Sequence, residues 1–122
     1  MTGSEKVSPR KLIESFKYAL EGIEYCLKTQ RNMRLHLVIA AVVVAVCIFL
    51  QISSLEFILV IISISLVFIC ELINTAVEKA VDTATKEYDP VAKIAKDVAA
   101  GAVLVAAINS VAVGILILQR YL

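Results

Sequence analysis

LEFILVIISISLVFICELINTAVEKAVD, residues 55–82, decides the fold. From Leu55 through Cys70 the stretch is almost wholly apolar, and with its continuation it reaches the ~20 residues that cross a bilayer. At Glu71 its chemistry changes but its period does not. Glu71, Asn74, Glu78 and Asp82 keep the helical rhythm. At about 100° per residue they fall near 0°, 300°, 340° and 20°, on one narrow face. Glu71 and Glu78 are two turns apart, roughly 10 Å along the axis. The stretch reads as one helix that crosses a membrane and leaves it with an acidic side.

The rest of the chain agrees. Of its 122 residues, 60% are apolar, and the mean hydropathy is +0.87. Soluble domains lie nearer ~45–50% apolar. The excess sits in three blocks, which so short a chain cannot bury in one water-soluble core. The reading is a single integral-membrane domain over residues 1–122, all-α, with three transmembrane helices and an N-terminal amphipathic helix. The net charge of +1 says nothing useful about nucleic acid, there is no long basic run and no Trp, and no nucleic-acid partner is expected. Cys26, Cys47 and Cys70 form no CxxC motif and no cluster with histidine, so they read as apolar fillers rather than zinc ligands. MTGSEKVSPR lacks the apolar core and cleavage site of a secretory signal.

Residues 1–7 are polar and expected to be loose. An amphipathic helix is expected over about 8–29, with Ser8 as cap and Pro9 in its first turn. Leu12, Phe16, Leu20, Ile23 and Leu27 recur at spacings of three and four. Such a helix either lies in the membrane interface or packs as an ordinary surface helix. A basic collar, QRNMRLH, leads into spans at about 33–52, 55–75 and 98–119. QISSLE reads as a short turn and TKEYDPVAK as a loop in which Pro90 breaks or starts a helix. Lys6, Arg10, Lys11, Lys17, Lys28, Arg31 and Arg34 precede the first span, and Lys79, Lys86, Lys93 and Lys96 lie between the second and third. The positive-inside rule then places the N-terminus and the second loop in the cytoplasm and the C-terminus outside. AAGAVLVAA in the third span allows close helix approach, and three spans make a thin monomer, so an oligomer is expected.

The acidic face has company. After Pro90, Lys93, Lys96 and Asp97 fall on or near one helical face, on the same side of the membrane. Crowded carboxylates repel one another unless a cation joins them. Mg²⁺ is commonly held by one or two carboxylates and substrate phosphates. Lysines neutralise phosphates, and a separate carboxylate beside a hydroxyl serves as general base. Together these describe phosphoryl transfer to a lipid alcohol at the membrane surface. Two other readings stand beside it. The face can be a solvated helix continuation with snorkelling acids, or a cation or proton site in a small transporter. A transporter site belongs near the bilayer middle, whereas these groups gather at one end. His36 reads as structural or interfacial, and Asn109 and Ser110 as helix contacts. Neither GxxxxGK[ST] nor GxGxxG occurs, which excludes a P-loop enzyme and a protein-kinase-like one.

ELINTAVEKAVD followed by AKDVAAGAVL strongly resembles the small prokaryotic diacylglycerol kinase family, over almost the whole chain. The shared pattern is E-x-x-N-[ST]-A-x-E-x-x-x-D. The RNMRLH collar and AKDVAAGAVL look more like the undecaprenol kinase branch of Gram-positive bacteria. The resemblance implies an inner-membrane homotrimer with sites shared between subunits at the cytoplasmic surface. It implies MgATP as phosphate donor and a lipid alcohol as acceptor: undecaprenol, with diacylglycerol as the alternative. By motif, Glu71 resembles the general base, Glu78 the main metal ligand and Asn74 a polar organiser beside both. Lys96 and Asp97 resemble a nucleotide-binding pair. Glu87, Tyr88 and Asp89 occupy the loop over the nucleotide, although many relatives have His at the position of Asp89. Lys11 and Tyr18 lie where the amphipathic helix meets the nucleotide.

One position departs from the pattern. Many relatives carry a metal-binding Glu just before the RN of the collar, and here it is Gln30. An amide oxygen can coordinate Mg²⁺ but brings no charge. Gln30→Glu is therefore expected to lower the Mg²⁺ concentration needed for activity, measured by metal titration of the purified protein. An unchanged or higher requirement would count against a ligand role for this position.

Overall fold

A computed structural model describes residues 8–122. The expectation for residues 1–7, and the place of Lys6 in the charge pattern, lie outside them. The protein is all-α. Its helices are α1 (Pro9–Thr29), α2 (Arg31–Phe49), α3 (Ser54–Ala84) and α4 (Pro90–Leu118). The last three are long and apolar enough to cross a membrane.

Helix α1 starts where its residues supply a cap. The Ser8 hydroxyl accepts from the Lys11 N–H at 3.2 Å, and Pro9, which lacks an N–H, fills the first position. Of its side chains only Cys26 is buried. Leu12 is 52% and Phe16 63% exposed, so no other helix of this chain covers the apolar face. Lys28 lies 2.6 Å from Glu24 and holds that carboxyl below its ordinary range by hydrogen bond and charge. The helix ends at Gln30, whose extended backbone (φ −108°, ψ 111°) closes α1 and opens α2 with a single residue. Arg34, in the first turn of α2, secures the corner. Its Nη1 donates to the carbonyls of Leu27 (3.0 Å) and Lys28 (2.9 Å), which the end of α1 leaves unpaired.

At the far end of α2 the chain reverses through Gln51, a non-glycine residue at φ 53°. A capping box then starts α3: Ser53 Oγ accepts from the Glu56 N–H, and Glu56 Oε1 accepts from the Ser53 N–H, both at 3.2 Å. Helix α3 has 31 residues and is about 46 Å long. That exceeds the ~30 Å hydrocarbon core, and the surplus falls at its polar end. Helix α4 begins at Pro90, capped by Asp89, whose Oδ1 accepts from the N–H groups of Val91 (2.8 Å) and Ala92 (3.2 Å).

Helices α3 and α4 form an antiparallel pair that carries most of the packing. Polar links cross it within the apolar region. Ser110 Oγ donates to the Ser63 carbonyl at 3.0 Å, and Asn109 Nδ2 to Ser63 Oγ at 3.4 Å. The expected role of Asn109 and Ser110 as helix contacts is what these bonds show. Farther along, Glu56 accepts from Tyr121 and from Arg120 (3.3 Å), holding the C-terminal residues on the start of α3. Cys47, Val60 and Ile117 make a small core between α2, α3 and α4.

Buried apolar residues are few, while large ones such as Ile62, Ile69, Leu104 and Ile108 stand exposed along the spans. Water does not tolerate surfaces of that extent, and a bilayer does. Ser110→Ala removes an interhelical hydrogen bond of the kind worth about 0.6 kcal/mol, at most ~1.7, in membrane bundles. A small fall in the melting temperature of the purified protein is expected, read by thermal denaturation in detergent.

Candidate functional site

The acidic face of α3 resolves into three parts, each with a different neighbour. Glu71 is the deepest. It is only 4% exposed, although it follows a run of apolar residues. Its Oε1 lies 3.3 Å from Nε2 of His36 on α2. The Thr75 hydroxyl donates to the Glu71 backbone carbonyl at 3.0 Å, so Thr75 turns away from the carboxylate.

One turn on, Asn74 Nδ2 donates to Glu78 Oε1 at 3.3 Å. The other atom of that amide, Oδ1, is buried without a hydrogen-bond partner among the described residues. A buried carbonyl oxygen left unpaired is costly, so this orphan is a mark of unfinished business at the site.

Asp82 completes the face and reaches α4. Lys96 Nζ lies 2.5 Å from its Oδ1. Lys93, one turn earlier on α4, lies 2.6 Å from Asp97. Lys96 and Asp97 are neighbours in the motif but serve different partners here. Both pairs are largely exposed, and such pairs add little to stability. They hold two cations and two carboxylates in one small region beside the end of α3.

The remaining expected residues have local partners, or none on the acidic face, among the described residues. Asp89 uses its carboxylate to cap α4. The Glu87 N–H donates to the Thr85 hydroxyl at 3.3 Å, while its side chain is exposed. Tyr88 is 79% exposed at the tip of the α3–α4 loop. Gln30 sits half-buried between α1 and α2, its Nε2 donating to Thr29 Oγ1 at 3.4 Å. Lys11 and Tyr18 are exposed on α1. No hydrogen bond or ion pair among the described residues joins Lys11, Tyr18 or Gln30 to the acidic face. The link from α1 to α3 comes from elsewhere on α1: Lys79 Nζ lies 5.7 Å from the centre of the Tyr25 ring, within cation–π range.

His36 is the residue that sequence reasoning set aside. Its signal was available. It is an ionisable group at the start of one span, at the depth where Glu71 ends the next, and intramembrane ionisable groups usually pair. Among the described residues no three His, Cys, Asp or Glu side chains converge as a ready-made metal cage. Glu78 and Asn74 meet through the Asn74 amide nitrogen, and their oxygens are hard donors of the type that suits a cation whose other ligands come with a phosphate. The arrangement as a whole is a buried carboxylate at the end of the apolar run of α3, beside a more exposed region of carboxylates and lysines.

Residues 17–118 match the family model for prokaryotic diacylglycerol kinase. A diacylglycerol kinase of Synechocystis sp. is 44% identical over 110 residues, which are 89% of this chain and 62% of that protein. The undecaprenol kinase of Bacillus subtilis is 42% identical over 108 residues, 88% of this chain and 87% of that protein. A diacylglycerol kinase of Escherichia coli is 30% identical over 101 residues, 83% of each. The chain thus spans less than two thirds of the Synechocystis protein but most of the other two. With its matched region running from α1 to the end of α4, the chain belongs to the prokaryotic diacylglycerol kinase family, a family of lipid kinases.

Proposed function

We propose that this chain transfers the terminal phosphoryl group of MgATP to the hydroxyl of undecaprenol, giving undecaprenyl phosphate and ADP. The observation that carries the phosphoryl-transfer reading is the buried Glu71 carboxylate at the membrane boundary, with Lys96 and Glu78 on the more polar side of it. A lipid alcohol has its hydroxyl at that depth and its chain in the apolar layer. The undecaprenol reading draws on the near end-to-end match to the Bacillus subtilis relative. Diacylglycerol is the second reading, favoured by the names of the Synechocystis and Escherichia coli relatives.

Glu71 accepts the proton as the lipid hydroxyl attacks in line, so that an alkoxide need not form alone in an apolar place. Lys96 turns from Asp82 toward the nucleotide phosphates, with Asp97 beside it. Glu87, Tyr88 and Asp89 flank the nucleotide from the α3–α4 loop. Most of the acceleration in such a site is positioning and charge stabilisation.

Mg²⁺ fits the donors present. Glu78 offers a carboxylate and Asn74 a buried oxygen with no hydrogen-bond partner among the described residues; Gln30, which bonds Thr29 at the α1–α2 joint, would have to turn toward them to add its amide. Bound there, the cation supplies neutralisation of the phosphate charge.

The working form is a homotrimer with shared sites. Lys11 lies fourteen residues, about 21 Å along α1, from Tyr25, where α1 meets α3. Lys11 and Tyr18 therefore serve the nucleotide of a neighbouring copy more readily than their own. The basic residues put this region on the cytoplasmic side of the inner membrane, with the N-terminus inside and the C-terminus outside.

Three measurements test these readings. Asn74→Leu removes the unpartnered oxygen. The variant loses the bond to Glu78 and the unpaired oxygen together, so the melting temperature of the metal-free protein should change little, while Mg²⁺-dependent transfer is lost. Lower stability with activity retained would remove Asn74 from the metal site. Labelled ATP offered to purified protein with undecaprenol and diacylglycerol in separate assays should label undecaprenol. A preference for diacylglycerol changes the substrate alone, and no label in either lipid overturns the transfer reading. Glu71→Gln should bind ATP and transfer nothing.

A further inference from the structure

His36 pairs with Glu71 and lines a mainly apolar cleft. Its Nε2 stands 3.3 Å from Glu71 Oε1, with the imidazole side chain 21% exposed and the carboxylate side chain 5%. Polar groups so withdrawn from water need partners in the protein. Among the described residues no Lys or Arg forms an ion pair with Glu71. The other side of the imidazole borders a cleft of about 590 Å³ between α2, α3 and α4, whose walls are mainly apolar side chains such as Val43, Val60, Ile64 and Val67. His36 thus lines this apolar space and pairs with the buried carboxylate.

We infer that His36 is a positioning residue for phosphoryl transfer. It donates an N–H from Nε2 to Oε1 of Glu71, fixes the plane of that carboxylate, and leaves Oε2 free to receive the proton of the lipid hydroxyl. The inference rests on the reading of Glu71 as the base. Neutral imidazole with its proton on Nε2 and the imidazolium ion both donate at this atom, so the role needs no change of charge. Without the donor, the carboxylate of Glu71 rotates about its last torsion and spends less time aimed at the hydroxyl. Misplacement of a reacting group by about 1 Å costs on the order of 10²-fold in rate. The residues proposed to bind the nucleotide, Lys96 and Asp97, have other partners, so ATP binding is spared. A histidine that merely pinned α2 to α3 would affect the melting temperature and leave the turnover of folded protein alone.

The test compares His36→Met with His36→Gln. The two side chains match in length, and only Gln carries an N–H near the place of Nε2. Transfer from ATP to undecaprenol or diacylglycerol, whichever accepts phosphate, is measured in detergent micelles below the melting temperature of every variant. His36→Met is expected to lower kcat roughly 10–100-fold, with KM for ATP and for the lipid within about twofold of the parent. His36→Gln is expected to recover most of kcat. Should His36→Met not assemble, His36→Phe replaces it with the same expected readings. Equal kcat for the Met and Gln variants overturns the proposal. So does a donor-free variant of parental kcat alongside an inactive Glu71→Gln protein, and in that case the base reading survives. An active Glu71→Gln protein instead removes the base, and the role of His36 with it.

Discussion

A helix of about 46 Å and a hydrocarbon layer of about 30 Å cannot coincide, and the mismatch places the chemistry of this protein. The apolar part of α3 occupies the layer, so its last turns must emerge. In a helix the emerging part inherits the orientation of the buried part. A polar face can therefore begin at Glu71 while that residue is still enclosed, and end at Asp82 in contact with Lys96 on α4. Depth along one rod sorts the groups. Glu71 is buried, Asn74 and Glu78 are half-buried, and Asp82 is exposed.

That arrangement demands a fixed rotation of α3 about its axis, which apolar packing alone sets poorly in lipid. Polar links fix it. Ser63 receives Ser110 and Asn109 from α4, Glu56 receives Arg120 and Tyr121 at one end, and Asp82 receives Lys96 at the other. Three contacts spread along the pair define register and rotation. Hydrogen bonds between spans are modest one by one, but their spacing leaves little freedom to slide.

The sequence made the fold and the acidic face legible because both depend on period and position within one element. Glu71, Asn74, Glu78 and Asp82 could be put on one side of a helix by counting. What they touch could not. His36 and Glu71 are thirty-five positions apart, and no local pattern joins them. Lys96 and Asp97 look like a pair because they are adjacent, yet adjacent residues on a helix point about 100° apart, and each finds a different partner. Asp89 falls in a loop expected to serve a ligand, and its carboxylate also has local work in capping α4. A capping role is readable from the Asp-Pro step that opens the helix. Gln30 was legible as an exception but not as a joint, since the break between α1 and α2 is a single residue wide.

That joint has a mechanical meaning. With one extended residue between two helices, the heading of α1 across the membrane surface is governed by a few torsions and by the grip of Arg34 on the last carbonyls of α1. The corner acts as a rudder post, and the first turn of α2 is its bearing. A change in the heading of α1 is thereby passed through Arg34 to the turn of α2 that holds His36, five residues from its start, opposite Glu71.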